Sequence, residues 1–344
     1  MKIIYGTRAF IAALLAIAVT MSLLAACDRD KETVVIYTSV DQLYSEKIFE
    51  AYEKATGVDV KAVYDIEANK TVGLANKLIE EKSNPQADVF WNGEILQTIR
   101  LKDEGVLESA QIAGAEDLPD AFTDNDGQWF GFGGRARCLI YNKTLISYED
   151  CPKTLQEFLT SQNVTNSGIA QPMFGTTSTH AAVLYALWGS SAAKQYYTDL
   201  QAAGVQVLDG NGVVKDQVSQ KKLYYGLTDT DDALLEINSN KDLDINFLDQ
   251  EEGGIGTLVI PNTVAKIKGG PNPEQADRFI EWLISAEVEQ MLVDDEWIQI
   301  PVHPSVDASQ VVEDADVKIM AADFEQAYEY YEESKNDLTS IFVR

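Results

Sequence analysis

The order of strand and helix patterns in the first third of the chain constrains its fold most. A β-branched and aromatic run at 34–38 is followed by apolar residues at helical spacing, and the alternation continues through 58–64, 71–81 and 87–91. A strand–helix–strand–helix–strand order is typical of a parallel sheet covered by helices. The first third of the chain therefore predicts an α/β fold.

The rest of the chain continues this alternation. Further strands are predicted at 137–141, 224–227, 257–260 and 265–267. A loop leading into a helix is predicted at 175–187, and further helices at 231–237, 273–285 and over much of 316–341. The 344 residues exceed what one hydrophobic core usually organises, so we expect two domains.

The charge balance excludes one class of partner. Asp and Glu number 55 against 27 Lys and Arg, which gives a net charge of −28. A surface of this sign repels the phosphate backbone, so we expect no nucleic-acid partner. With only His180 and His303, a histidine-rich metal site is excluded as well. A hydrolytic enzyme is a distant alternative, because the chain has no Gly-x-Ser-x-Gly, His-Glu-x-x-His or P-loop.

The N-terminus has the layout of an export signal. Two basic residues precede an uncharged apolar stretch at 9–26, and residues 24–27 read Leu-Ala-Ala-Cys. A retained membrane anchor is the alternative, since the stretch is near the lower limit of the ~17–25 residues that span a bilayer. The tetrapeptide resembles the lipobox of bacterial lipoproteins. That resemblance implies a signal peptide at 1–26, a lipidated linker at 27–32, and a periplasmic or cell-surface lipoprotein anchored by Cys27.

Cys138 and Cys151 are the remaining cysteines. In an exported chain a disulfide between them is chemically allowed. Two buried free thiols are an equally good interpretation.

The start of the helix predicted at 175–187 is a candidate anion site. In open parallel sheets, ligands bind beyond the carboxyl ends of the strands, where helix N-termini offer N–H groups and a positive dipole end. Simple helix capping is the alternative. The candidate residues are Thr177, Ser178, Thr179 and His180.

Arg135 and Arg137 stand at the beginning of the strand predicted at 137–141. They lie on one face of it, because side chains two residues apart in a strand point the same way. A guanidinium group can bind carboxylate, carbonate or phosphate through two parallel hydrogen bonds. A salt bridge at the surface or between domains is the alternative. We predict both arginines to be ligand-binding residues.

A run of hydroxyls and carboxylates follows the strand predicted at 224–227 and opens the next helix. Helix capping and the helix dipole would explain such residues without a ligand, because each carboxylate near a helix N-terminus stabilises the helix by ~0.3–1 kcal/mol. Crowded carboxylates repel one another, however, and a bound cation would relieve that repulsion. The residues are Thr228, Asp229, Thr230, Asp231 and Asp232.

Further candidates lie at the ends of the first and third predicted strands, where the alternative is an ordinary solvated loop. They are Tyr37, Ser39, Asp41 and Glu94. For a metal ion, the candidate ligands are Glu94, Asp229 and Asp231, because carboxylates are hard oxygen donors.

Five short motifs, in this order and spacing, carry a resemblance to a known family. They are Val-Val-Ile-Tyr-Thr-Ser (34–39), Ala-Asp-Val-Phe-Trp-Asn-Gly-Glu (87–94), Phe-Gly-Thr-Thr-Ser-Thr-His (174–180), Gly-Leu-Thr-Asp-Thr-Asp-Asp-Ala (226–233) and Gly-Thr-Leu-Val-Ile-Pro-Asn-Thr (256–263). Over nearly all of 33–344 the chain resembles the type II periplasmic solute-binding proteins of ABC importers, and in particular their ferric-iron branch.

The resemblance implies a two-lobed fold. Each lobe would be a mixed, mostly parallel sheet flanked by helices, with two crossover strands between the lobes. Lobe one would comprise 33–135 plus 256–302, and lobe two 136–255 plus 303–344. The solute would sit in the interlobe cleft of a monomer, which would deliver it to a membrane permease driven by a partner ATPase.

For the solute, the resemblance implies ferric iron held with a small synergistic anion such as carbonate or phosphate, and no covalent cofactor beyond the lipid. An aminoalkylphosphonate or another small phosphorylated solute is the alternative. One departure from the ferric pattern concerns adjacent tyrosines, which commonly bind the metal in that branch. Here 228–232 read Thr-Asp-Thr-Asp-Asp, and Tyr224-Tyr225 comes earlier, inside a predicted strand.

Overall fold

The computed structural model describes residues 31–65, 71–308, 312 and 316–343. The predicted signal peptide at 1–26 and the predicted lipidation site Cys27 lie outside the described residues. Strands and helices are numbered separately in chain order. The strands are β1 (Thr33–Thr38), β2 (Asp59–Tyr64), β3 (Val89–Asn92), β4 (Trp129–Asn142), β5 (Ser167–Ala170), β6 (Gln206–Leu208), β7 (Tyr225–Asp229), β8 (Leu243–Asn246) and β9 (Val259–Lys266).

The α-helices cover the sheet on both faces. They are α1 (Gln42–Thr56), α2 (Val72–Glu80), α3 (Leu96–Asp103), α4 (Leu155–Thr160), α5 (Gly175–Trp188), α6 (Ser190–Ala203), α7 (Asn211–Ser219), α8 (Thr230–Ser239), α9 (Pro273–Leu283), α10 (Ala286–Asp294), α11 (Phe324–Glu329) and α12 (Tyr331–Phe342).

The long strand β4 joins two sheets. The strand order is β2-β1-β3-β9-β4-β7-β5-β6, with β8 also paired to β4. The first part of β4, 129–136, pairs with β9, whereas its second part, 137–142, lies between β7 and β8. We call the half built on β2, β1, β3 and β9 the first lobe, and the half built on β8, β7, β5 and β6 the second lobe. The two-lobed α/β prediction is confirmed.

The chain crosses between the lobes a second time just before β9. The N–H of Arg137 donates to the carbonyl of Leu258 at 2.9 Å, and the hydroxyl of Thr257 donates to the carbonyl of Arg137 at 3.2 Å. This segment therefore runs beside β4 at the point where β4 changes sheets.

One strand differs from its prediction. The pattern predicts two strands, at 257–260 and 265–267, but β9 is continuous through Pro261. Opposite this proline, β4 has an irregular register between Phe132 and Gly134. A bulge is a position where a strand tolerates a residue without an N–H. The apparent break in the pattern is therefore a bulge in the partner strand.

The two cysteines lie in different core clusters. Cys138 packs with Ala136 and Ile140, which share its face of β4, whereas Cys151 packs with Leu139 and Tyr141 on the other face. Both are free and buried, so the structure does not contain the disulfide. The sheet separates the two thiols.

The C-terminal helices contact both lobes. Phe324 and Ala327 of α11 pack in a cluster with Phe90 of β3, whereas Leu338 of α12 packs with Tyr185 in the second lobe. The assignment of all of 303–344 to lobe two, like the other lobe boundaries, stays a prediction.

Glu289 of α10 fixes the bulge in β4. Its carboxylate is fully buried and accepts the N–H groups of Gly133 at 2.6 Å, Val302 at 2.7 Å and His303 at 2.6 Å. Gly133 has φ +51°, a left-handed conformation that suits glycine. We expect Glu289→Gln to lower the free energy of unfolding by about 1.5–3 kcal/mol, because the charge that these N–H groups bind is lost.

Urea unfolding measures this loss. The matched control is Glu287→Gln, two positions earlier on the same helix and exposed, which we expect to change little. Equal midpoints for the two variants would contradict the anchoring role of Glu289.

Candidate functional site

Arg135 lies where the two lobes meet. Its Nη2 donates to the carbonyl of Gly93, in the turn after β3 of the first lobe. Its Nε lies 3.6 Å from Asp229 Oδ2 and 3.7 Å from Asp231 Oδ2, both in the second lobe. The side chain is 12% exposed, so these contacts are made largely out of water. Arg135 therefore connects the lobes at the interlobe cleft.

Arg137 and Asp229 form a buried ion pair inside the second lobe. They stand opposite each other on β4 and β7, and Arg137 Nη1 donates to Asp229 Oδ1 at 2.6 Å. Asp229 Oδ2 accepts from the hydroxyl of Thr176 at 2.6 Å and from Asn211 Nδ2 at 2.9 Å.

The charge of Asp229 is set by these neighbours. Burial by itself would raise the pKa of Asp229, but the charges of Arg137 and Arg135 and the hydrogen bonds outweigh it and hold the pKa below its ordinary value. Asp229 is therefore ionised, and its hydrogen bonds are made to Arg137, Thr176 and Asn211 of the same lobe. The sequence analysis missed Thr176 and Asn211, although both stand at the beginning of helices that follow strands.

His180 lies fully buried in the second turn of α5. Burial, together with the positive charge of Arg137, lowers the pKa of His180 to about 3, against a smaller opposite effect of Asp229. The imidazole is thus neutral at physiological pH and supplies no positive charge to an anion. Among the described residues, His180 Nε2 and Arg137 Nε and Nη2 have no hydrogen-bond partner.

Glu94 is a helix cap. Its carboxylate accepts the N–H groups of Leu96 at 2.7 Å and Gln97 at 2.8 Å, at the start of α3. Burial raises the pKa of Glu94, and these hydrogen bonds oppose the rise. Glu94 Oε2 also accepts the hydroxyl of Thr179 at 3.1 Å, which connects the first lobe to α5.

The structure does not gather the predicted metal ligands. The carboxylate of Glu94 accepts backbone N–H groups at the start of α3, and the carboxylate of Asp229 pairs with Arg137. Across the part of the chain that the structure describes, no three His, Cys, Asp or Glu side chains form a group that could hold a metal ion. Whether Glu94, Asp229 and Asp231 bind a metal ion stays a prediction: the first two carboxylates already have partners within the protein, and Asp231 lies near Arg135 where the lobes meet.

Ser39 supports the turn that Arg135 contacts. Its hydroxyl donates to Asn92 Oδ1 at 2.6 Å and accepts the N–H of Gly93 at 2.9 Å. Tyr37 lies elsewhere: its ring packs with Leu78, and its hydroxyl donates to Glu81 Oε2 at 3.1 Å, just beyond α2. The structure therefore does not place the Tyr37 hydroxyl with the Arg135 group.

The charges of carboxylates from both lobes act on the phenol of Tyr44. Burial raises the pKa of Tyr44 first, and the charges of Asp231, Asp232 and Asp41 raise it further. Tyr44 and Asp41 stand at the start of α1 in the first lobe, and the other two aspartates are in the first turn of α8 in the second. We call these four residues the oxygen cluster. The sequence analysis missed Tyr44, which stacks on Trp297 at 5.4 Å.

The predicted hydroxyl residues divide between the cleft and the lobe interior. Thr230 donates to Gln299 Oε1 of the first lobe at 2.7 Å and accepts the N–H of Ala136 at 3.1 Å. Thr177 and Thr228 bond to Asn211, at 3.3 and 3.2 Å, within the second lobe. Ser178 is buried on α5.

Residues 47–321 match the family described as bacterial extracellular solute-binding protein. The chain belongs to this family. The prediction of a binding protein rather than an enzyme is thereby confirmed. Over the described residues, no helix is long and apolar enough to cross a membrane.

Three individual proteins illustrate what this chain is similar to. The solute-binding chain is 27% identical over 305 residues to iron uptake protein A1 of Synechocystis sp., covering 80% of this chain and 81% of the relative. It is 25% identical over 289 residues to a putative 2-aminoethylphosphonate-binding periplasmic protein of Salmonella paratyphi A, covering 81% of each. Its fold is similar to that of the ferric binding protein from Campylobacter jejuni, with a TM-score of 0.81, 21% identity, and coverage of 90% of this chain and 100% of the other.

Proposed function

We propose that this protein captures ferric iron, together with a small synergistic anion, in its interlobe cleft and delivers it to the permease of an ABC importer. The oxygen cluster carries the proposal. The charges of three carboxylates, from both lobes, act on the phenol of Tyr44. The described residues contain no preformed group of three acidic ligands, so ligation of one ion would require the lobes to close further. Ferric iron is a hard cation that prefers oxygen ligands, and its charge would offset this crowding of negative groups.

Positive groups for the anion stand beside the oxygen cluster. Arg135 is within 4 Å of Asp231, and no side-chain hydrogen bond caps the N-terminus of α5. Carbonate or phosphate would bind favourably between a guanidinium group and a helix N-terminus. The names of the Synechocystis and Campylobacter proteins support iron as the cargo.

Asp231→Asn should weaken Fe(III) binding about tenfold or more, because the variant loses a charged oxygen donor facing the cation. Protein purified without added metal is titrated with Fe(III)-nitrilotriacetate, and the affinity is read from the charge-transfer absorbance. Asp242→Asn is the control: Asp242 pairs with Lys221 at 3.1 Å on the surface, and both side chains are about half exposed. An unchanged affinity in Asp231→Asn would refute the oxygen cluster as the iron site.

An aminoalkylphosphonate is the second candidate. The observation in its favour is the proximity of Arg135 to the carboxylates of α8, which would suit a phosphonate and an amine respectively. The Salmonella relative supports the same choice. Calorimetry with 2-aminoethylphosphonate on the same preparation separates the two cargoes: binding of the phosphonate without binding of iron would replace the first proposal by the second.

We also propose that the mature protein is a monomer, tethered through a lipid on Cys27 and working with a permease and its ATPase. The Leu-Ala-Ala-Cys sequence at 24–27 supports the tether. Cys27→Ser should move the protein from the membrane fraction to the soluble fraction of the cell envelope. Retention of that variant in the membrane fraction would contradict lipid anchoring.

A further inference from the structure

The second lobe has a groove that lies away from the cleft. Its volume is about 740 Å³, which is within the range of pockets that hold small organic molecules. One wall is formed by the end of α5 with α6, and the other by the start of α4 and the loop 249–255. Trp188 is the last residue of the 14-residue helix α5, so it stands about 20 Å from the N-terminus of that helix. The groove is therefore separate from the anion site proposed at that N-terminus.

The uncharged lining of the groove is largely apolar and aromatic. The rings of Trp188 and Tyr196 meet edge to face, with centroids 5.4 Å apart. The hydroxyl of Tyr196 donates to the carbonyl of Leu155 at 3.2 Å, so it is already satisfied within the protein. Leu159 and Ile255 also line the groove and are only partly buried. An apolar ligand body would therefore cover apolar surface here without breaking the hydrogen bond of Tyr196.

Every charged side chain among the described residues that line the groove is acidic. Burial, followed by the charges of Glu251 and Glu157, raises the pKa of Asp249, against the hydrogen bond that it accepts from the N–H of Leu155. The ammonium group of Lys318 is close to the same loop, but it donates to the carbonyl of Gly254. A cation in the groove would offset the repulsion among the lining carboxylates. They are Asp199, Asp249, Glu251 and Glu252.

We propose that this groove binds an organic ammonium ion, that is, a protonated or quaternary amine on an apolar body. Such a ligand matches both parts of the lining, because its charge is attracted by carboxylates and by aromatic rings. An apolar anion would be repelled by four carboxylates. A bare metal ion would gain little from the apolar lining, and the described residues contain no group of three acidic ligands for it. The groove lies outside the cleft, so its ligand is independent of the cargo proposed above.

The loop that lines the groove leads directly into the second crossing between the lobes. Ile255 packs against the hydrophobic clusters of both lobes. The carbonyl of Asp249 accepts the N–H of Gly256 at 3.0 Å, and its carboxylate accepts the N–H of Leu155 at 3.2 Å. A ligand held by Asp249 would thus restrain the backbone just before the crossing at 257–258.

Calorimetry on the full chain tests the ligand class with three probes. We expect benzyltrimethylammonium to bind with a dissociation constant of about 1 mM or tighter. Tetramethylammonium has the charge without the ring, and it should bind at least about tenfold more weakly, because it buries less apolar surface. Phenylacetate has a ring and the opposite charge, and it should not bind. Absence of benzyltrimethylammonium binding, or equal binding of phenylacetate, would overturn the proposal.

Two variants test the place of binding. The double variant Glu251→Gln/Glu252→Gln removes two exposed charges from the loop, and Trp188→Leu removes an aromatic ring; each should weaken benzyltrimethylammonium binding about tenfold. The control is Asp242→Asn, which removes a carboxylate from the surface of the same lobe and should bind like the wild type. Urea unfolding confirms that the variants are folded. Wild-type affinity in the double variant and in Trp188→Leu would overturn the groove as the site.

Amide hydrogen exchange locates the bound probe. We expect benzyltrimethylammonium to slow exchange in 249–256 and at the start of α4, because a ligand between these segments suppresses their local opening. Slowed exchange confined to other segments would place the probe elsewhere and overturn the proposal. None of these measurements uses Fe(III), so a failure of iron binding would leave them unchanged.

Discussion

Replacing Arg137 by methionine should lower the free energy of unfolding by about 3–5 kcal/mol, because it leaves the carboxylate of Asp229 buried without its closest cation. Arg137 is 2% exposed and Asp229 is 3% exposed, so water cannot replace the lost partner. Thr176 and Asn211 would still donate to Asp229, but neither carries a charge. Arg135 stays 3.6 Å away and offsets part of the loss.

Urea unfolding at neutral pH measures this effect, with Arg278→Met as the control. The pair of Arg278 with Glu32 is exposed on both sides, and surface pairs contribute about 0–1 kcal/mol. The double variant Arg137→Met/Asp229→Asn should recover part of the stability, because a neutral amide replaces the buried carboxylate that has lost its closest cation. A loss in Arg137→Met no larger than in the surface control would mean that the buried pair does not stabilise the second lobe.

The same ion pair predicts a dependence on pH. The pKa of Asp229 is lower in the folded protein than its ordinary value of 3.8. The stability that this group contributes is therefore complete above pH 3.8 and is lost as the pH falls through the lowered value. In Arg137→Met this part of the acid sensitivity should be smaller, because a folded-state pKa closer to 3.8 narrows the pH range in which the folded and unfolded chains differ in protonation.

The chain should lose stability between about pH 6.5 and pH 3 because of His180, by a total on the order of 4 kcal/mol. The pKa of His180 is lowered from 6.5 to about 3 in the folded protein, first by burial and then by the charge of Arg137. Below pH 6.5 the unfolded chain therefore binds a proton that the folded chain rejects, and the balance shifts toward unfolding. His180→Gln, which has no group that titrates in this range, should have a flatter profile.

The control is the wild type, measured in the same buffers. Urea midpoints at intervals between pH 7 and pH 5 isolate the effect, because most carboxylates titrate below that range. If His180→Gln keeps the wild-type slope, the buried neutral state of this residue is wrong.

Part of the cleft could be predicted from the sequence. Thr230 and Asp231 begin α8 directly after β7, Arg135 lies within β4, and the structure places all three where the lobes meet. The rule behind the prediction is geometric, since the ends of neighbouring strands and the helices that follow them converge at one edge of a sheet. Whether these residues bind the solute stays a prediction.

The residues that were missed come from elsewhere in the chain. Tyr44 is on helix α1 and feels the charges of Asp231 and Asp232 at the start of α8, and Gln299, which follows α10, accepts the hydroxyl of Thr230. No spacing pattern connects positions that are more than 60 residues apart and meet only when two lobes close. Their residue types, a tyrosine at helical spacing and a glutamine in a loop, are common and carry no signal alone.

The metal-ligand roles of Glu94 and Asp229 stay predictions, and one physical reason explains why both carboxylates already have partners within the protein. Glu94 and Asp229 have the chemistry of metal ligands, but one is taken by the backbone N–H groups at the start of α3 and the other by Arg137. A buried carboxylate must have such partners, because an unpaired charge in the protein interior is too costly. Sequence identifies the donor atoms, whereas the folded neighbours decide which of them remain for a ligand.

The sequence by itself determined the α/β alternation, the acidic character and the class of residue at each strand end, because periodicity and composition are local properties of the chain. Its resemblance to a known family implied the two-lobed architecture. Only the tertiary structure decided that Arg137 and Asp229 neutralise each other inside one lobe, that Arg135 reaches across to both, and that Tyr44 joins the carboxylates of α8. These assignments depend on distances between residues far apart in the chain, and electrostatic energy depends on such distances and on burial.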